Sequence, residues 1–92
     1  MESVRAHVII EGRVQGVNFR AACRDQARQV GVNGWVKNRP DKTVEAIFEG
    51  PRAAVQRMVS WCYSGPPHAR VDRVNVSWEE PTGKELPFNI AW

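Results

Sequence analysis

The stretch Gly12-Arg13-Val14-Gln15-Gly16-Val17-Asn18-Phe19-Arg20 decides how the chain is read, because the hydrophobic period changes across it. Before it, Val4 to Glu11 is rich in β-branched residues and stops at Gly12, the pattern of a strand. After it, Phe19, Ala22, Cys23, Ala27 and Val30 recur at three- and four-residue spacing, which is one face of a helix. Gly31 follows where a left-handed C-terminal residue is wanted. The stretch is therefore a strand-to-helix loop. Its two inner glycines let the backbone bend and aim several N–H groups into one concavity. Asn18 is an N-cap candidate, so the loop empties into a helix N-terminus, where unpaired N–H groups and the dipole favour anions. Arg20 falls in the first helical turn, an unfavourable place for a cation unless something negative sits nearby. A bound phosphate would reverse that penalty, and a guanidinium can hold two of its oxygens in a fork. From local chemistry alone, Arg20 either binds such an anion or points into water.

Outward from the loop, Asn33 to Asn38 reads as a second strand, and Pro40-Asp41 as a turn. Val44, Ala46 and Phe48 alternate along a third strand that ends at Gly50. Pro51 stands in the first turn of a second helix, whose inner face is Val55, Met58, Val59 and Cys62 and whose stop is Gly65-Pro66-Pro67. Val74, Val76 and Trp78 alternate against Arg73, Asn75 and Ser77 in a fourth strand, and Phe88, Ile90 and Trp92 form a short terminal one. The order is βαββαβ with a short extra strand: an α+β sandwich in which an antiparallel sheet carries two helices on one face. The helices are expected to run roughly parallel. That would place Cys23 and Cys62 at opposite ends and leave them as two buried thiols rather than a disulfide. The tryptophans at 35, 61, 78 and 92 all fall in regular elements and are expected to pack there.

Ninety-two residues, 42% hydrophobic and 25% charged, make one globular domain over residues 1–92 without repeat or linker. Aliphatic runs such as Val8-Ile9-Ile10 are far too short to cross a bilayer. The residues from Met1 to His7 hold no apolar signal core, so a cytoplasmic location is expected. The net charge of +3 suits an anionic ligand, but the basic residues are scattered and form no block. Neither Cys23 nor Cys62 has a zinc-ligand neighbourhood.

What the loop lacks constrains its chemistry. Cysteine phosphatases also end their phosphate loop in Arg, six residues after a nucleophilic Cys; here that position is Val14. The loop has no Asp or His to form a phosphoenzyme, and no Walker Lys followed by Ser or Thr. With no nucleophile on the loop, water should attack phosphorus directly.

GRVQGVNFR is similar to the acylphosphatase signature: a glycine, Val-Gln-Gly-Val, then an aromatic followed by Arg. The match continues through Gly34-Trp35-Val36-Lys37-Asn38 and Thr43-Val44-Glu45-Ala46 to a C-terminal Phe-x-Ile-x-aromatic strand, in order along nearly the whole chain. The resemblance implies a ferredoxin-like sandwich and hydrolysis of acyl phosphates without metal or cofactor. It implies that Arg20 binds phosphate, helped by the backbone N–H groups of Gln15, Gly16, Val17, Asn18, Phe19 and Arg20, and that Asn38 positions the attacking water. Without it, Asn38 ahead of Arg39-Pro40 reads as a strand-to-turn residue. The expected partners are a small acyl phosphate and the product inorganic phosphate, with no nucleic acid and no membrane, on a monomer. One departure stands out: the family commonly has Asp-Gly in the turn after this Asn, where the chain has Asp41-Lys42. Lys42 disfavours positive φ, so a different turn type is expected.

Two other readings share the element order. An RNA-recognition domain would show aromatics on the open face of its first and third strands. Ala6 to Ile10 contains none, and the third strand offers only Phe48. A carbamoyl-phosphate-handling domain of a larger maturation protein would need further domains. His7 and His68 are expected to be structural or surface residues.

Overall fold

The computed structural model describes residues 2–91, so Trp92 of the expected terminal strand lies outside the described residues. The elements are β1 (Ser3–Arg13), α1 (Phe19–Val30), β2 (Asn33–Asn38), β3 (Val44–Pro51), α2 (Arg52–Cys62), β4 (Arg70–Glu79) and β5 (Asn89–Ile90). They build a ferredoxin-like α+β sandwich with sheet order β4-β1-β3-β2-β5. β1 pairs antiparallel with both β3 and β4, and β2 pairs antiparallel with β3. The sheet is nevertheless mixed, because β5 joins β2 in parallel. The reason is directional: β4 runs against β1, β1 and β2 share a direction, and one reversal after β4 returns the chain along β2.

Period-two alternation sorts β1 into two faces. Val4, Ala6, Val8 and Ile10 are buried beneath the helices with Val36 of β2 and Val44, Ala46 and Phe48 of β3. Phe19, Cys23 and Ala27 of α1 and Val55, Met58 and Cys62 of α2 close the core from above. Phe88 enters the same cluster and stacks on Phe48, with centroids 5.4 Å apart. Phe48 thus faces the helices, and no aromatic of β1 or β3 stands on the open face.

Several expectations are corrected. The helices are antiparallel, not parallel, because α1 follows β1, α2 follows β3, and those strands oppose each other. The start of α1 therefore meets the end of α2: the Phe19 and Trp61 rings pack edge to face at 5.2 Å. Cys23 and Cys62 accordingly share one end of the helix layer, both buried and both free thiols. Burial pushes the Cys62 thiol up to about 12 and raises Cys23 as well, with a smaller contribution from Cys62, so both behave as small apolar groups. Pro51 is one residue earlier than expected, ending β3 and forming the N-cap of α2 with φ −55° and ψ 139°. Trp78 does not pack; it is 52% exposed, because β4 is an edge strand and Trp78 lies close to its end.

On the open face, Arg5 ties the far end of the chain to the sheet. Its guanidinium bonds Glu85 at 2.6 Å, Glu49 at 3.0 Å and Glu79 at 3.0 Å. Burial works against its charge, but these hydrogen bonds prevail and hold Arg5 protonated more firmly than usual. The buried Glu49 also accepts from the backbone N–H groups of Thr82 (3.1 Å) and Gly83 (2.7 Å), pinning the segment that leads to β5. Among the described residues, no helix is long and apolar enough to cross a membrane.

Two outcomes follow from these contacts. At Gly12 (φ 130°) β1 shifts register against β4, and an added Cβ would stand 2.2 Å from the Arg70 carbonyl oxygen. Gly12→Ala is therefore expected to destabilise the fold by at least about 1 kcal/mol, read as a lower urea midpoint. For Glu49, burial opposes ionisation, yet the Thr82, Arg5 and Gly83 hydrogen bonds outweigh it and hold the carboxyl below its ordinary 4.5. A depressed folded pKa means that this stabilisation is complete above pH 4.5 and is lost as pH falls below it. Thermal scans through that acid range should show the loss, and Glu49→Gln should flatten it.

Candidate active site

β1 and β2 point the same way, so the loop after β1 and the turn after β2 meet at one end of the sheet. Ile10 pairs with Val44, and Val44 with Asn38, which puts Asn38 level with the end of β1 two strands across. The β1–α1 loop bends by alternating the sign of φ. Gly16 (φ 73°) and Asn18 (φ 68°) are left-handed on either side of Val17, which is not. Such alternation turns successive N–H groups toward one side and makes an anion-binding concavity. Gly16 supplies its conformation at no steric cost, and Asn is among the few other residues that visit this region readily. Buried Val14, Val17 and Phe19 anchor the loop to the core.

Asn18 does occupy the N-cap position of α1, but its side chain makes no capping bond. Side-chain capping needs an extended backbone at that residue, and Asn18 is left-handed. Only its carbonyl takes part, accepting from Ala22 N–H at 3.1 Å. The first turn of α1 holds no acidic residue. The positive end of the helix is thus neither capped by Asn18 nor offset within its own first turn, which suits it to an external anion. Arg20, the second residue of α1, is half-buried.

The side chain of Gln15 couples the loop to the β2–β3 hairpin. Its amide N–H₂ donates to the carbonyls of Arg39 (2.8 Å) and Thr43 (2.9 Å), the pair that closes the turn after Asn38. From the sequence, Gln15 is expected to contribute only its backbone N–H. The signal available was its place between two glycine-flanked bends, where a long amide can reach a neighbouring strand. Asn38 Oδ1 is buried and accepts no hydrogen bond from any described residue. An unpartnered buried oxygen costs roughly 1–3 kcal/mol, so it is set up to receive a bond from water or ligand.

The hairpin turn corrects the expectation for Lys42. Lys42 N–H donates to Arg39 O at 3.1 Å, and Arg39 N–H to Thr43 O at 2.9 Å. This is a β-turn through Pro40 and Asp41 followed by one left-handed residue, a position that favours glycine, and Lys42 adopts it at φ 74°. Asp41 holds the arrangement: its Oδ1 accepts from Thr43 N–H (3.0 Å) and Thr43 Oγ1–H (2.6 Å), and these bonds lower its pKa.

The remaining candidates lie elsewhere. His7 bonds Glu45 at 2.6 Å on the open face of the sheet, and His68 is exposed beyond α2. No group of three or more His, Cys, Asp or Glu side chains among the described residues could hold a metal ion.

Known proteins share this sequence and this fold. A family model described as Acylphosphatase matches residues 6–90. An acylphosphatase from Roseiflexus sp. (strain RS-1) is 66% identical, over 100% of this chain and 99% of that protein. The crystal structure of acylphosphatase from Bacillus subtilis superposes with a TM-score of 0.92 at 35% identity, covering 97% of this chain and 99% of that one. The structure of T. kodakarensis HypF matches with a TM-score of 0.83 at 29% identity, but over 12% of its own length. From the extent of these matches, the chain belongs to the acylphosphatase family and hydrolyses the carboxyl–phosphate bond of acyl phosphates.

Proposed function

We propose that Arg20 and the backbone N–H groups of Gln15, Gly16, Val17, Asn18, Phe19 and Arg20 bind the phosphoryl group, and that Asn38 orients the water that attacks it. The observation that carries this reading is the buried, unpartnered Oδ1 of Asn38 beside a loop that Gln15 fastens to the same hairpin. An amide is neutral and does not abstract a proton at ordinary pH, but its oxygen accepts a bond from water and fixes the direction of approach. The substrate's own phosphate takes the proton. The leaving carboxylate has a pKa of about 4, so strong general-acid help is unnecessary. Catalysis is then positioning plus stabilisation of charge on the phosphoryl oxygens by the guanidinium fork, the N–H cradle and the α1 N-terminus.

In this reading the reaction needs no metal or cofactor, and the enzyme works as a cytoplasmic monomer without nucleic acid. The burial of Phe48 favours that choice over RNA binding, which would want the aromatic on the open face.

The division of labour is testable with benzoyl phosphate as substrate, a simple phosphomonoester as control and a chelator in a parallel run. Wild type should cleave benzoyl phosphate alone and ignore the chelator. Arg20→Ala should lose at least about a thousandfold in turnover and bind inorganic phosphate weakly, and Arg20→Lys should also be poor because a point charge cannot reproduce the fork. Asn38→Ala should lose turnover by roughly a hundredfold or more yet keep its affinity for phosphate. Weakened phosphate binding in Asn38→Ala would contradict the assignment.

Gln15→Ala removes the two bonds that its side chain makes to the hairpin. It should cost about 1–3 kcal/mol in stability and lower kcat by roughly ten- to a hundredfold through misalignment of cradle and water. Unchanged kcat at unchanged melting temperature would show that the two parts are placed by other contacts.

A further inference from the structure

Beside the loop lies a cavity of about 460 Å³, lined by Gly12, Arg13, Val14, Gln15, Gly16 and Lys42. That volume falls in the range of small-molecule sites, roughly 300–1,000 Å³. Two of its lining residues, Arg13 and Lys42, are exposed cations. Of the other cations nearby, Arg39 pairs with Asp41 at 3.7 Å and Arg70 with Asp72 at 3.1 Å. Among the described residues, Arg13 and Lys42 make no side-chain hydrogen bond or ion pair. Lys42 also keeps its side chain at this rim in a left-handed conformation that costs a non-glycine residue roughly 1–2 kcal/mol. Strain of this kind persists where the surroundings enforce it, and it clusters at ligand sites. The reaction itself accounts for neither cation, because Arg20 and the N–H groups serve the phosphoryl end.

We infer that this cavity is a subsite for the acyl end of the substrate, and that Arg13 and Lys42 select acyl phosphates whose carbon chain carries a second anionic group. The inference rests on the reading of the adjoining loop as the phosphate cradle. Arg13 and Lys42 both line this cavity, so an acyl chain that enters it brings a terminal carboxylate or phosphate within reach of the two cations. Neutral acyl chains find only the apolar part of the same cavity and remain substrates of lower kcat/KM. Because both cations face solvent, each contributes a modest factor of up to about fivefold, and salt weakens it.

The test compares succinyl phosphate with butyryl phosphate, two four-carbon acyl phosphates that differ in a terminal carboxylate against a methyl group. The readout is the ratio of their kcat/KM values within each protein, at low and at high salt. Wild type should prefer succinyl phosphate by about five- to thirtyfold at low salt, and the preference should shrink as salt rises. Arg13→Gln and Lys42→Gly should each lower the ratio by up to about fivefold. Lys42→Gly also relieves the positive φ, so a lowered ratio there cannot come from a damaged fold. Arg57→Gln removes an equal charge from the exposed face of α2 and should leave the ratio at the wild-type value. Replacing succinyl phosphate by an acyl phosphate with a terminal phosphate distinguishes the two anions, and a ratio above one for either supports the subsite. A wild-type ratio at or below one for both anions overturns it, as does a ratio that Arg57→Gln lowers as much as Lys42→Gly does. Failure to cleave either acyl phosphate would instead count against the reading of the loop.

Discussion

Strand β1 is hydrogen-bonded on both flanks, to β3 on one side and β4 on the other, and the rest of the molecule is positioned from it. Its inward residues floor the core, and its outward Arg5 fastens the segment after β4. Its last residues also fix where the loop begins. At Gly12 the backbone comes so close to the Arg70 carbonyl that no side chain fits, and the register against β4 slips there. The loop therefore leaves β1 with a defined direction, before the left-handed residues Gly16 and Asn18 bend it.

A bent loop alone would present N–H groups with nothing to work beside. The Gln15 amide brings the second half of the site into line by bonding the two carbonyls that close the turn next to Asn38. One side chain thus ties the proposed phosphate cradle to the hairpin that carries the oxygen proposed to hold water. Asp41 performs a similar service for the turn, bonding Thr43 through backbone and side chain and stiffening a hairpin that carries Lys42 in a strained conformation. The strain is tolerated because the turn is over-determined.

Where neighbours in sequence decide the outcome, the sequence was legible. Helix α1 and strand β2 begin and end where periodicity and Gly31 placed them, and the two-faced burial of β1 follows its alternation. The misreadings arise where a conclusion needs partners distant in the chain or the sign of a dihedral. Helix direction depends on β1 opposing β3, and taking the helices as parallel separated Cys23 from Cys62, which in fact share one end. Asn18 has the right identity for a side-chain cap and the wrong backbone for it. Lys42 looked incompatible with positive φ, yet the Asp41–Thr43 bonds impose it. Of the candidate site, the strand-to-helix loop was readable from the change of period, and Asn38 as the last residue of β2. The bridging amide of Gln15 and the Arg5–Glu49 anchor were not, because their partners lie 24 to 44 residues away.

The placement of β1 between β3 and β4 also has a temporal side. Its partner β3 follows within about fifty residues, but β4 and the Arg5–Glu79 contact, 74 positions apart, come last. While the chain is being synthesised, β1 can zip onto β3 and bury part of its apolar face, yet one flank stays open until nearly the whole polypeptide has emerged. Non-local pairing of this kind slows folding and lengthens the life of an unpaired edge. The strand that organises the finished molecule is thus also the one whose edge waits longest for its second neighbour.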